Sequence, residues 1–363
     1  NVKYLRSNFA PVDELKEALQ IINIEGKIPD NFPEGVYIRN RRNPLFGGLK
    51  MTKSMFGSSS HIWLRFGKVN KYISNTNIFK HSGKFYSIAE NHMPQEIDIL
   101  TLDTLGNWDV NGAWKRPITS HPKDPLCISI QKLLNIHSIS LGTEELFNEH
   151  GLFPFFEADG KKLVHKVDLK LDRCSICHDI GLTQRYNAIM DFPLTIDIKR
   201  LISGGPFKPI NSIEGDINSS PEDGLLFSRC YEWRLDMQTG EVRERNLTGT
   251  EFSMDFPMIN ENFTGIKNKY GYTQVVDSIA SSTSGFVKFG GLAKLNLEEL
   301  DTRFSLENTF CRGAALVSKG VRFEEDDGWI ITFVHNEDTD ISEVHIIDTK
   351  NFSSEPVAKI NAS

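Results

Sequence analysis

The sequence has 363 residues, 39% hydrophobic and 25% charged, a length that allows two domains or one large architecture with ample surface to bury a core. Its 41 basic and 48 acidic residues leave a net charge of −7, which gives no electrostatic footprint for nucleic acid. The longest apolar runs, such as Trp329 to Val334, fall far short of the ~20 residues that span a bilayer as a helix. A helical transmembrane protein is excluded; a visitor to a membrane surface is not.

Five cysteines, an odd number, argue against a secreted disulfide framework. Cys174 and Cys177 form a lone CxxC without the second pair of a zinc site or a thioredoxin-like context. The short basic cluster Arg39, Arg41 and Arg42 reads as a solvated turn. No signal peptide opens the sequence, which starts at Asn1 and not Met, so the reading is an intracellular or organellar protein with the question of a leader left open.

In chain order, Asp13 to Leu19 is the first short stretch with helical spacing. Ile97-Asp98-Ile99-Leu100-Thr101-Leu102, followed by Asp103-Thr104-Leu105-Gly106, reads as a strand closing into a hairpin. Thr143 to His150 is a second helical candidate. Val167-Asp168-Leu169-Lys170 resumes the strand series, and Asp197 to Ile202 is a third helical candidate. Arg234 to Gly240, Lys294-Leu295-Asn296-Leu297 and Ile346-Ile347-Asp348-Thr349-Lys350 complete it. Each is a short apolar stretch with an Asp or Asn in or beside it. These acidic or amide positions fall at 98, 168, 236, 296 and 348, at intervals of 70, 68, 60 and 52. Spacing of this order suggests repeated sheets of about four strands, the blades of a propeller; a large β-sandwich would leave similar marks. In a propeller the inner strands converge on an axis, so histidines far apart in sequence can share one metal ion.

Several segments together resemble the carotenoid cleavage oxygenase family, most closely its plant plastid-type members. They are Asn8-Phe9-Ala10-Pro11-Val12, Glu34-Gly35-Val36-Tyr37-Ile38-Arg39-Asn40, Ser120-His121-Pro122-Lys123 and Cys177-His178-Asp179, with Thr183 and Asp191-Phe192-Pro193-Leu194 after it. Met254-Asp255-Phe256-Pro257-Met258-Ile259-Asn260, Tyr270-Gly271-Tyr272 and Glu325-Asp326-Asp327-Gly328-Trp329 follow in the family's order. The resemblance implies an all-β fold, a seven-bladed β-propeller with short helices capping one face, as a single domain over residues 1–363. It also implies Fe(2+) held on the axis by four histidines, three of them steadied by carboxylates, and addition of O2 across a conjugated double bond to leave two carbonyl products. Imidazole suits iron, and a carboxylate accepting the far N–H of a ligand fixes its tautomer.

Carried over by resemblance, His121 and His178 take the first and second ligand positions. Glu90 and Asp255 take two of the supporting carboxylate positions. Ala314, in Gly313-Ala314-Ala315-Leu316-Val317, stands where the third carboxylate is expected. His61, His81, His92, His137, His150, His165, His335 and His345 have no matched ligand context, and none is assigned to iron.

The sequence also departs from the family pattern. The third ligand is expected after Gly204-Gly205-Pro206-Phe207, yet Lys208-Pro209-Ile210-Asn211 runs almost at once into Glu222-Asp223-Gly224-Leu225-Leu226-Phe227, and no histidine lies between His178 and His335. Internal deletions are therefore expected near 58–66 and 208–222, together with a truncated C-terminus that lacks the fourth ligand's His-Gly element. Arg41-Arg42 replaces the usual Gly-Pro, and Leu126 to Phe156 does not resemble the family. Two ligands of four predict weakened iron binding and impaired cleavage of a carotenoid or apocarotenoid. The alternative is a catalytically inactive propeller that binds apocarotenoid or protein partners. Expected partners are the substrate and O2, with no nucleic acid and with room for peripheral membrane contact. The expected location is the plastid by resemblance, with the cytoplasm as the alternative.

Overall fold

A computed structural model describes residues 20–21, 23–40, 74–89, 92–115, 118–123, 133–136, 151–159, 162–171, 178–190, 228–249, 252–284, 287–298, 302–305, 309–320 and 324–361. The chain divides into two compact units, one of residues 1–17 and 37–214, the other of residues 18–36 and 215–363. The first strand in the chain, β1 (Ile24–Gly26), belongs to the second unit.

In the first unit, β2 (Asn77–His81), β3 (Lys84–Ile88), β4 (Gln95–Ile97) and β5 (Thr104–Asn107) pair antiparallel in sequence order. Strands β6 (Leu133–Ile136), β7 (Gly151–Asp159) and β8 (Lys162–Leu171) form a three-stranded sheet, and β9 (Ile180–Leu182) and β10 (Asn187–Ile189) a hairpin. The four-stranded sheet carries the apolar cluster of Tyr86, Ile88, Trp108, Val110, Trp114 and Ile118. Phe79 stacks on its cross-strand partner Tyr86 at 5.3 Å, and Tyr86 meets Trp108 at 5.1 Å. Burying such side chains contributes about 1.5–3 kcal/mol each, so this cluster anchors the segment 118–121 that ends in His121. His81 is buried against Trp108, a packing role.

In the second unit, β11 (Tyr231–Leu235) and β12 (Val242–Asn246) form a hairpin. Strands β13 (Met254–Met258), β14 (Tyr270–Val276), β15 (Phe289–Asn296) and β16 (Thr302–Ser305) make one four-stranded meander. A second contains β17 (Phe310–Ser318), β18 (Gly328–Asn336), β19 (Ile341–Asp348) and β20 (Ala358–Asn361). The pairing Phe289↔Cys311 joins them into one continuous sheet. Strand β1 adds to β20, so the two ends of this unit meet. Gly26 permits that join: its φ is +83°, and a Cβ there would lie 2.5 Å from the Val357 carbonyl. Trp329 to Val334, the apolar run noted above, is the centre of β18, buried between β17 and β19.

Among the described residues the architecture is almost wholly β, with three meanders of four antiparallel strands, the unit from which propeller blades are made. The spaced Asp and Asn residues have a specific local cause. Asp98 Oδ1 accepts from the N–H of Leu100 (2.8 Å) and Thr101 (3.1 Å), and Asp236 Oδ1 does the same for Gln238 and Thr239. Asn296 accepts from Glu298, and Asp348 from Lys350 and Asn351. Each side chain replaces a backbone acceptor where the chain leaves a strand and turns. Gly240, at φ +76° and donating to the Asp236 carbonyl, finishes the β11–β12 turn. Asp168 is the exception: it lies inside β8, paired with Pro154, and closes no hairpin.

The α-helix among the described residues, α1 (Ser278–Ser284), was not expected from the sequence. Its serine-rich composition is a poor helix signal, but Asp277 caps it by accepting from the Ala280 N–H at 2.8 Å. The helical candidates 13–19, 143–150 and 197–202, and both sites of suspected deletion, lie outside the described residues. No helix among the described residues is long and apolar enough to cross a membrane.

Candidate metal centre

The segment 118–122 follows the tryptophan-rich cluster and belongs to no strand; His178 immediately precedes β9. Both lie in the first unit. Although 57 residues separate them, their Nε2 atoms are 3.2 Å apart, with ring centroids at 4.8 Å and planes inclined by 72°. Two imidazole nitrogens bound at right angles to a common ion at about 2.1 Å stand ~3.0 Å apart. The observed pair therefore has the spacing of two adjacent ligands. The same geometry also suits a direct N–H···N hydrogen bond in the metal-free protein.

The two segments are tied at two further points. The Thr119 hydroxyl donates to the His178 carbonyl at 2.6 Å, and Lys123 Nζ lies 2.8 Å from Asp179 Oδ1. Asp179 Oδ1 also accepts from the Ile180 N–H at 2.7 Å. Behind them, Asn77 Nδ2 donates to the Ser120 carbonyl at 2.8 Å, and Asn40 Nδ2 donates to the carbonyls of Ser74 and Asn77. Polar side chains thus satisfy the Ser74 and Ser120 carbonyls, which lie outside the strands, and add to the Asn77 carbonyl at the start of β2. Neither the Thr119 tie nor the Asn77 tie was found in the sequence. Their residue types are common, and their partners lie 59 and 43 residues away.

Glu90 lies outside the described residues. Asp255 lies on β13 in the second unit, where its Oδ1 accepts from the Phe256 N–H at 2.8 Å. Phe256 itself has φ 53°, a costly conformation for a bulky residue, at a bulge between Asp255 and Met258. His335 Nδ1 meets Ser342 Oγ at 2.9 Å and His345 Nε2 meets Glu343 Oε2 at 2.8 Å, both within the second unit. Among the described residues, no group of three or more His, Cys, Asp or Glu is placed to hold a metal ion. Among the described residues, the pair His121 and His178 fits one edge of a coordination sphere.

Compared with known proteins, the chain matches the family model described as retinal pigment epithelial membrane protein over residues 49–213 and 205–363. The chain belongs to this family, that of the carotenoid cleavage oxygenases. This family member is 26% identical to a carotenoid 9,10(9',10')-cleavage dioxygenase of Crocus sativus, with 79% of this chain and 63% of the relative covered. It is 23% identical to the chloroplastic 9-cis-epoxycarotenoid dioxygenase NCED1 of rice, with 98% and 73% covered. The carotenoid-oxygenase chain thus spans a little under two thirds of the Crocus relative's length. Among solved structures it resembles a lignostilbene dioxygenase of Pseudomonas brassicacearum, with TM-score 0.78, 19% identity and coverage of 97% of this chain and 94% of that one. A Synechocystis apocarotenoid oxygenase variant gives TM-score 0.73 at 17% identity, with 94% and 92% covered. The fold is that of the carotenoid oxygenases, an all-β propeller architecture.

Proposed function

We propose that the chain is, by descent, a non-haem iron-dependent dioxygenase that cleaves a carotenoid or apocarotenoid double bond, and that iron binding and turnover are greatly reduced in the chain as given. The convergence of His121 and His178 to an adjacent-ligand spacing carries the first half. These two residues would hold the ion through Nε2, with Glu90 accepting the far N–H of one of them. When bound, ferrous iron supplies the activation of O2 that splits a conjugated double bond into two carbonyl products.

The second half rests on the interior of the chain. After His178 the next histidine is His335, and the described residues offer no third ligand. The family match is broken into two stretches that overlap only at 205–213, across the start of the suspected gap at 208–222. The alignment with the rice relative runs over 491 positions against a chain of 363 residues, so many positions of the relative have no residue opposite them.

In this reading the two units form one propeller domain over 1–363. The plastid is the proposed location, supported by chloroplastic relatives, and the cytoplasm stands as the alternative. Peripheral membrane contact is supported by the exposed Leu100, Leu102 and Leu105 around the β4–β5 turn. The absence of a third ligand among the described residues favours a second reading, a non-catalytic propeller that binds apocarotenoids or a protein partner. Purified chain supplied with Fe(II), O2 and an apocarotenoid tests the proposal. Little or no aldehyde product is expected, and turnover at the rate of a four-histidine relative would refute the impairment. Apocarotenoid binding that is indifferent to chelator and to His178→Ala would favour the second reading.

A further inference from the structure

We propose that Thr119 is a positioning residue that sets the spacing of the two imidazoles, an inference that rests on reading His121 and His178 as a metal-binding pair. Thr119 is fully buried. Its hydroxyl donates to the His178 carbonyl at 2.6 Å and lies 3.4 Å from the His121 N–H, so one oxygen touches the backbone of both histidines. Residues 118–122 belong to no strand and His178 lies just outside β9. Among the described residues no strand pairing joins 118–122 to His178.

The remaining ties are weaker candidates for this task. Lys123 and Asp179 are partly exposed, and a solvent-screened ion pair on a long, flexible lysine holds little geometry. The Asn77 bond to the Ser120 carbonyl fixes the His121 segment to β2 but does not reach His178. Thr119 is anchored at its own end, because Ile118 is buried in the cluster with Trp108 and Trp114. A short hydrogen bond from a buried, packed residue transmits that rigidity to His178. A shift of a few tenths of an ångström in the His178 backbone moves its Nε2 out of the adjacent-ligand position.

Nickel(II) is a suitable probe, since it favours imidazole and its binding raises the melting temperature of the full chain by mass action. Four variants are compared with the unaltered chain: Thr119→Val, Thr119→Ser, His121→Ala and His178→Ala. Nickel stabilisation should vanish in both histidine variants. It should require about tenfold more nickel in Thr119→Val and return to the original concentration in Thr119→Ser, which keeps the hydroxyl. The metal-free melting temperatures of Thr119→Val and Thr119→Ser should differ far less than their nickel responses. Thr119→Ala serves the same comparison if the valine variant does not fold. Equal nickel affinity in Thr119→Val and the unaltered chain would overturn the proposal, as would nickel binding that ignores both histidines. Nickel binding that depends on Thr119, together with stoichiometric retention of Fe(II), would uphold the tether and count only against the proposed impairment.

Discussion

Removal of the Asp326 carboxylate should strongly destabilise the second unit. Its Oδ2 pairs with Lys294 Nζ at 2.8 Å, and the two side chains are only 15% and 11% exposed. The ammonium also donates to the Thr349 carbonyl at 2.8 Å and lies 4.3 Å above the Tyr270 ring. Lys294 is on β15, while Asp326 precedes β18, so the pair clamps one four-stranded meander to the other. Breaking a fully buried pair by removing one partner costs about 3–5 kcal/mol. The carbonyl and the aromatic face remain with Lys294, which brings the expected cost of Asp326→Ala to about 2–3 kcal/mol. Lys267 and Glu298 supply the control: they pair on the exposed surface of the same unit, so Glu298→Ala should cost no more than about 1 kcal/mol. Urea unfolding followed by tryptophan fluorescence reads both. Adding Lys294→Met to Asp326→Ala should recover part of the loss, because the stranded charge is gone. A midpoint shift in Asp326→Ala no larger than in Glu298→Ala, or a double variant equal to the sum of the singles, would refute the reasoning.

Acid sensitivity should come partly from Asp348. Burial pushes its carboxyl up, but the Asn351 N–H, the Lys319 ammonium and the Lys350 N–H together outweigh this and hold it below the ordinary value. A depressed folded value contributes stability that is complete above the unfolded pKa, about 3.9, and is lost as pH falls through the folded value. Asp348→Asn should therefore be less stable than the unaltered chain at pH 7, with the gap narrowing below about pH 4; a gap that widens in acid would contradict this. Ser120 has a buried hydroxyl with no hydrogen-bond partner among the described residues, so Ser120→Ala should stabilise the chain by about 1 kcal/mol. A lower melting temperature for that variant would show that the hydroxyl has a use.

Strand-closing positions were legible because their cause is local. Asp98, Asp236, Asn296 and Asp348 bond to backbone two or three residues onward, so composition alone marks them. Asp168 carries the same signature without the turn, because an acidic residue inside a strand looks identical in sequence. Helix α1 was hidden because a cap at Asp277, not propensity, makes it. In the candidate site His121 and His178 were chosen through the family resemblance, with their flanking Pro122 and Asp179. Thr119 and Asn77 were not, since each acts on a carbonyl some 40–60 residues away, and nothing in a threonine's neighbours tells which distant oxygen it will reach.

Anaerobic Fe(II) loading, measured as iron retained per chain after gel filtration, tests the central claim most directly. The account predicts far less than one ferrous ion per chain, with what is retained falling further in His121→Ala and His178→Ala. Stoichiometric iron that survives the column, or retention that neither histidine variant changes, would contradict it.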